Sequence, residues 1–69
     1  MMEKVTLNVQ GMSCEHCVKA VKGSVGELAG VKSVDVHLSE GKVDVEFDPN
    51  EVALDKVKET IEDQGYEVA

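Results

Sequence analysis

Arginine and tryptophan are absent from this chain, and Phe47 and Tyr66 are its only aromatic side chains. Two aromatics are too few to stack a run of bases, which is how single-stranded nucleic acids are gripped. The seven basic residues are all lysine, set against fourteen carboxylates, for a formal net charge of −7. Nucleic-acid phosphates demand a basic footprint, so this balance excludes nucleic acid as the partner. It argues equally against an anionic membrane surface. No stretch approaches the ~20 apolar residues of a membrane span, and no apolar signal-peptide core follows Met1-Met2-Glu3-Lys4. The expected compartment is therefore the cytoplasm, where thiols stay reduced. Proline occurs once and the six glycines are scattered, so no linker or low-complexity run divides the chain.

Sixty-nine residues accommodate one small domain, expected to occupy 1–69. A chain of this size buries roughly 60% of the surface it exposes when unfolded, so its stability is modest. There are two cysteines, Cys14 and Cys17. A disulfide between them would close so short a loop that chain entropy yields only about 2 kcal/mol, less after strain. The pair is better suited to chemistry than to stapling. The acidic surface keeps the chain soluble, and any protein partner is expected to meet it with a neutral or basic face.

The segment Lys4 to Val9 alternates strictly, with Val5, Leu7 and Val9 on one side, which predicts a half-buried strand. Gly11 to Cys14 breaks that pattern. From Glu15, apolar residues recur at helical spacing at Val18, Val21, Val25 and Leu28, and Gly30 is the expected stop. Gly23 and Gly26 each cost this helix up to ~1 kcal/mol relative to alanine, so it is stable only when docked. Val34, Val36 and Leu38 mark a second strand, and Ser39-Glu40-Gly41-Lys42 a short connection to a third carrying Val43, Val45 and Phe47 inward. Asp48-Pro49-Asn50 reads as a turn. A second helix then places Leu54, Val57 and Ile61 inward and stops at Gly65, and Tyr66-Glu67-Val68 forms a short last strand. Ala53 stands where a Ser, Thr or Asp cap would specify that helix start.

The order βαββαβ predicts an α+β, ferredoxin-like sandwich: a four-stranded antiparallel sheet with two helices on one face. In that topology the fourth strand lies beside the first, followed by the third and then the second. Gly65-Tyr66 is thereby brought close to Met12-Ser13-Cys14.

Core packing does not explain Gly11-Met12-Ser13-Cys14-Glu15-His16-Cys17. Two intervening residues let both sulfurs face one point as a loop enters a helix, with Cys14 on the loop and Cys17 in the first turn. There, unpaired N–H groups and the positive end of the helix dipole favour thiolate, the metal-binding form. Thiolates select soft ions, copper(I) above all. Structural zinc wants four protein ligands. The only histidines are His37, outward on the second strand and far from the loop, and His16, expected to point to solvent. Two convergent thiolates leave an open coordination sphere that a partner's thiolate can enter before one of these leaves.

These residues resemble the heavy-metal-associated domain family, and most closely its small bacterial copper chaperones that serve copper-exporting P-type ATPases. The matching segments are the Gly11–Cys17 loop and Asp63-Gln64-Gly65-Tyr66 at the second helix exit, within a likeness that covers essentially the whole chain. The resemblance implies that Cys14 and Cys17 bind copper(I), that Met12 is a buried anchor under the loop, and that Tyr66 sits close to the site. It implies delivery to the N-terminal metal-binding domain of a copper-transporting ATPase, with a copper-responsive repressor as a second recipient, and no catalysis. Some eukaryotic relatives carry lysine in place of Tyr66 and dock through a basic face, a mode that this acidic chain does not share.

Several residues keep two readings. Met12 is a core residue holding the loop or a thioether ligand. His16 is a solvated bystander or an extra ligand when two molecules share metal. Tyr66 caps the core, and its hydroxyl is a hydrogen-bond donor toward the sulfurs. Lys19 and Lys22 solvate the first helix or guide a partner. Ser13 stands where zinc-selective members of the family place an aspartate, which disfavours zinc, while mercury also accepts two thiolates. A thioredoxin-like redox role is the competing class for Cys-x-x-Cys, but the chain is too short for that fold and lacks its Trp-Cys-Gly-Pro-Cys loop. The full βαββαβ set with its own Met favours a free-standing protein over an excised domain. It is expected to be a monomer without metal, with copper able to bridge two copies.

Overall fold

The computed structural model describes residues 1–69. In chain order it contains β1 (Glu3–Gln10), α1 (Glu15–Gly26), β2 (Val31–His37), a 3₁₀ turn (Leu38–Glu40), β3 (Lys42–Phe47), α2 (Leu54–Asp63) and β4 (Glu67–Val68). The sheet order is β2-β3-β1-β4, antiparallel throughout, as the βαββαβ pattern requires. No helix is long and apolar enough to cross a membrane.

Period-2 alternation sets the core face. β1 pairs with β3 from Glu3↔Phe47 to Asn8↔Lys42, which sets Leu7 opposite Val43 on the helix side. Val43, Val45 and Phe47 are all but fully buried, and they meet Val21 and Val25 of α1 and Val57 and Ile61 of α2 in one cluster. Both helices thus cover the same face of the sheet. Burying the Phe47 side chain contributes about 1.5–3 kcal/mol, and no polar or charged residue is buried in the core. Two of the three residues that α1 presents inward, Val21 and Val25, are fully buried, whereas Val18 is only half-buried. With two glycines in its second half, α1 owes its stability to this docking.

The departures from the sequence reading lie at element ends. α1 stops at Gly26 rather than Gly30, so Leu28 packs against the core from the following turn. Gly30 instead has φ +91, accepts a hydrogen bond from the Asp48 N–H at 2.8 Å, and lies against the turn after β3. A Cβ there would stand 2.7 Å from Glu51 Cβ, so this close approach needs glycine. Leu38 belongs to the 3₁₀ turn, not to β2, and Gly41 closes that turn in the left-handed region at φ +65. Val52, in the turn before α2, joins the core although its segment has no periodicity to reveal it. Ala53 caps α2 without any side-chain hydrogen bond, as its side chain dictates.

β4 pairs only through Val9↔Val68 and Gln10↔Glu67, at the very end of β1. That register is what delivers Tyr66 to the loop after β1.

Candidate metal centre

The loop is built by a reversal and a cap. Gly11 follows β1 at φ +101, a conformation that L side chains rarely adopt. A Cβ on it would lie 3.4 Å from Tyr66 Cδ1, so the bare glycine lets the tyrosine ring lie against the loop. Met12 follows, packed against the core but only partly buried. The anchor expected to be buried is thus half-exposed, because it roofs the end of the sandwich rather than entering it. Cys14 is the N-cap of α1 with extended backbone (φ −155, ψ 171), and its carbonyl accepts from the N–H of Cys17 at 3.1 Å and of Val18 at 3.3 Å.

Residues three apart share a helix face, and here they bring Cys14 Sγ and Cys17 Sγ to 3.4 Å. Both thiols are free; Cys14 is exposed and Cys17 half-buried. The Cys17 thiol is held down to about 6, well below the ordinary thiol value, first by a hydrogen bond from the Ser13 backbone amide. The Tyr66 hydroxyl and the Cys14 thiol add to this, and partial desolvation opposes it. At neutral pH Cys17 is therefore mostly thiolate, poised as nucleophile and soft ligand. The same hydrogen bond acts in reverse on Tyr66: donating to Cys17, and next to charged sulfur, its phenol is raised above the usual tyrosine value.

The sequence reading brought Met12, Ser13, Cys14, Cys17 and Tyr66 to one end of the molecule, and there they stand. It credited unpaired N–H groups and the dipole at the helix start with favouring thiolate, and it counted Ser13 as support for the loop; the largest single influence is the amide of Ser13, which lies just before the helix. A backbone group leaves no mark on residue identity, so the sequence placed Ser13 in the loop without singling out its N–H. His16, in the first turn of α1, is exposed, and no group of three or more His, Cys, Asp or Glu gathers around the thiols. His37 is away from the loop as expected, but it is engaged. Its Nε2 lies 2.9 Å from Asp44 Oδ2, while Thr6 Oγ1 donates to Asp44 Oδ1 at 2.6 Å. These hydrogen bonds, Thr6 first, hold the Asp44 carboxyl below its usual range. The network ties β1, β2 and β3 across the open face of the sheet, a cross-strand pairing that becomes visible only once the register is known.

With this geometry fixed, likeness to known proteins becomes informative. The family model described as the heavy-metal-associated domain matches residues 6–67. The chain belongs to that family. It is 60% identical over 68 residues to the copper chaperone CopZ of Bacillus subtilis (strain 168), covering 99% of each chain. Among solved heavy-metal-associated folds, it is similar to the putative copper-ion-binding protein from Bacillus anthracis str. Ames, at 52% identity and a TM-score of 0.97. That match covers 100% of this chain and 97% of the other. It is also similar to a copper-binding domain from HMA7, a P-type ATPase, at 38% identity and a TM-score of 0.94, covering 100% and 92% of the two chains.

Proposed function

We propose that this chain is a cytoplasmic copper(I) chaperone, not an enzyme. It holds the ion between the thiolates of Cys14 and Cys17 and passes it by ligand exchange to a copper-transporting P-type ATPase. The observation that carries the reading is the 3.4 Å approach of the two sulfurs at the start of α1, with Cys17 held as thiolate. Two soft donors, with no group of three or more His, Cys, Asp or Glu gathered around them, match a soft monovalent ion and give hard divalent ions little to bind. Similarity to CopZ, a copper chaperone, supports the choice of metal and the carrier role.

The copper is cargo, so the site has to release as well as hold. Cys14, at the exposed rim, is where an incoming partner thiolate reaches the ion first. The incoming sulfur bonds as a third ligand and one thiolate of this chain departs; a second partner thiolate then binds as the other departs, so the ion keeps at least two sulfur ligands throughout. Cys17 is a good leaving group because the Ser13 amide and the Tyr66 hydroxyl stabilise its anion once copper has gone. Ser13 and Tyr66 therefore support the ligands without binding metal, and Met12 braces the loop from below. The likeness to a copper-binding domain of a P-type ATPase supports a recipient of the same fold, the ATPase's N-terminal metal-binding domain. A copper-responsive repressor is a second recipient able to offer thiolates. Without metal the chain is a monomer; at loadings above one copper per chain, the exposed sulfurs bridge the ion between two copies, with His16 near enough in sequence to join.

Delivery is tested by mixing the copper-loaded chain, isotopically labelled, with the isolated N-terminal domain of a copper-transporting ATPase. Loop resonances from Gly11 to Cys17 returning to their metal-free positions as the partner loads support the reading. Metal that stays put, or that leaves at the same rate for a chelator and for the domain, contradicts delivery by ligand exchange.

A further inference from the structure

A groove of about 360 Å³ opens between the second half of α1 and β2. Lys22 and Gly26 line one side, and Lys32, Ser33 and Asp35 line the other. It is distinct from the thiol loop: Lys22 stands eight residues beyond Cys14, about 12 Å along the helix. β2 is an edge strand, so its outer backbone groups have no partner strand.

Three features mark this groove. The first is charge. On a chain with twice as many carboxylates as lysines, its lining holds two lysines, neither of them ion-paired, against one carboxylate, Asp35. The second is the bulge. The β2–β3 register slips between Val31 and Ser33, leaving Lys32 as the extra residue, and bulges of this kind re-aim a side chain. The third is Gly26. It has no positive φ, and a Cβ added to it would meet nothing within 4 Å. Neither backbone conformation nor core packing calls for glycine there, although it weakens the helix relative to alanine. Gly23 shares these properties, but Gly26 alone of the two lines the groove, where a side chain would stand in the open space.

We propose that this groove docks an extended, carboxylate-bearing peptide segment of a protein partner, laid along β2 with its acidic side chains between Lys22 and Lys32. Strand addition to a free edge supplies main-chain hydrogen bonds, and the flanking pockets supply selectivity. A lysine at a bulged edge normally blunts strand pairing, and here it repels a second copy, whose own Lys32 would be brought to the same edge. An acidic strand turns that repulsion into attraction, so one device both rejects self-association and selects the partner. The attraction is local: carboxylates beyond a Debye length of about 8 Å are largely screened, and within the groove lining the segment meets two lysines against the single carboxylate of Asp35. Because the groove lies away from Cys14 and Cys17, a segment held there raises the effective concentration of whatever it is tethered to without covering the thiols. The inference is independent of which metal the thiols carry.

The test is a nuclear magnetic resonance titration of the isotopically labelled full chain. The probe is a synthetic, end-blocked peptide of alternating glutamate and valine, with glutamine replacing glutamate in the control. The proposal expects saturable shifts at Lys22, Gly26 and Lys32 to Asp35, an unshifted Cys14–Cys17 loop, and about tenfold weaker binding of the control. Lys22→Glu with Lys32→Glu should weaken binding by about tenfold or more. Gly26→Leu should abolish it while leaving the circular dichroism spectrum and the alkylation rates of both thiols unchanged. Gly26→Ala serves where the larger residue disturbs the fold, and should raise the melting temperature while reducing affinity. Absence of saturable shifts, equal affinity for the control peptide, shifts centred on α2 or on the open face of the sheet, or binding indifferent to the lysine changes would each overturn it.

Discussion

Gly11 and Tyr66 are packed so closely that a methyl group on the glycine would stand 3.4 Å from ring carbon Cδ1 of the tyrosine. They lie 55 positions apart in sequence (66 − 11) and are joined because β4 pairs with the last residues of β1. This contact turns the tyrosine from a cap on the core into part of the thiol site. Its ring is fixed by the loop, and its hydroxyl is left to donate to Cys17.

Tyr66→Phe keeps that packing and removes the hydroxyl. The Cys17 thiol should then titrate above its present value of about 6, because the second-largest of the influences lowering it is gone. The Ser13 amide remains, so the shift stops short of an ordinary thiol. The pH profile of alkylation, followed residue by residue by mass spectrometry, reads this directly; an unchanged profile would show that the hydroxyl does not touch the thiolate.

The same depressed pKa makes the stability of the metal-free protein depend on pH. A thiol that titrates near 6 in the folded chain and near 8.5 when unfolded favours folding fully above the unfolded value, and this contribution is lost as pH falls through about 6. Denaturant midpoints of the reduced protein should therefore rise between about pH 6 and pH 9, and Cys17→Ser should flatten that rise. A parallel pH dependence in both proteins would contradict the assignment. Cys17 is partly exposed, so solvent screening makes the effect modest.

Ala53→Ser should stabilise the fold. Ala53 already has the extended N-cap backbone (φ −81, ψ 150) but offers no oxygen to the first N–H groups of α2. A serine there should add about 1 kcal/mol, or roughly 4–8 °C in Tm for a domain this small. Thermal unfolding followed by circular dichroism checks it, and no gain would mean that those N–H groups are well satisfied by water.

Where the sequence reading succeeded, a period or a spacing carried the information. Leu7 and Val9, like Val43, Val45 and Phe47, alternate and are buried. The topology followed from element order, and with it the meeting of Tyr66 and the Cys-x-x-Cys loop. Where the reading fell short, the cause was tertiary. Leu28 continues the helical spacing, yet the chain leaves the helix at Gly26. Val52 is buried from a turn, where no periodicity applies. Met12 is only half-covered, because the end of a two-layer sandwich has nothing above it. Backbone N–H groups at the helix start were expected to favour thiolate, but that the amide of Ser13 does most to acidify Cys17 is written in no residue type.

The central claim, that Cys14 and Cys17 together hold copper(I), is tested most directly by an anaerobic competition titration. The reduced protein and its Cys14→Ser/Cys17→Ser variant compete with a copper(I) chelator of known affinity, and the experiment is repeated with zinc(II). The account predicts one tightly held copper per chain, lost in the variant, and far weaker zinc binding. Copper binding that survives loss of both sulfurs, or zinc held as tightly as copper, would contradict it.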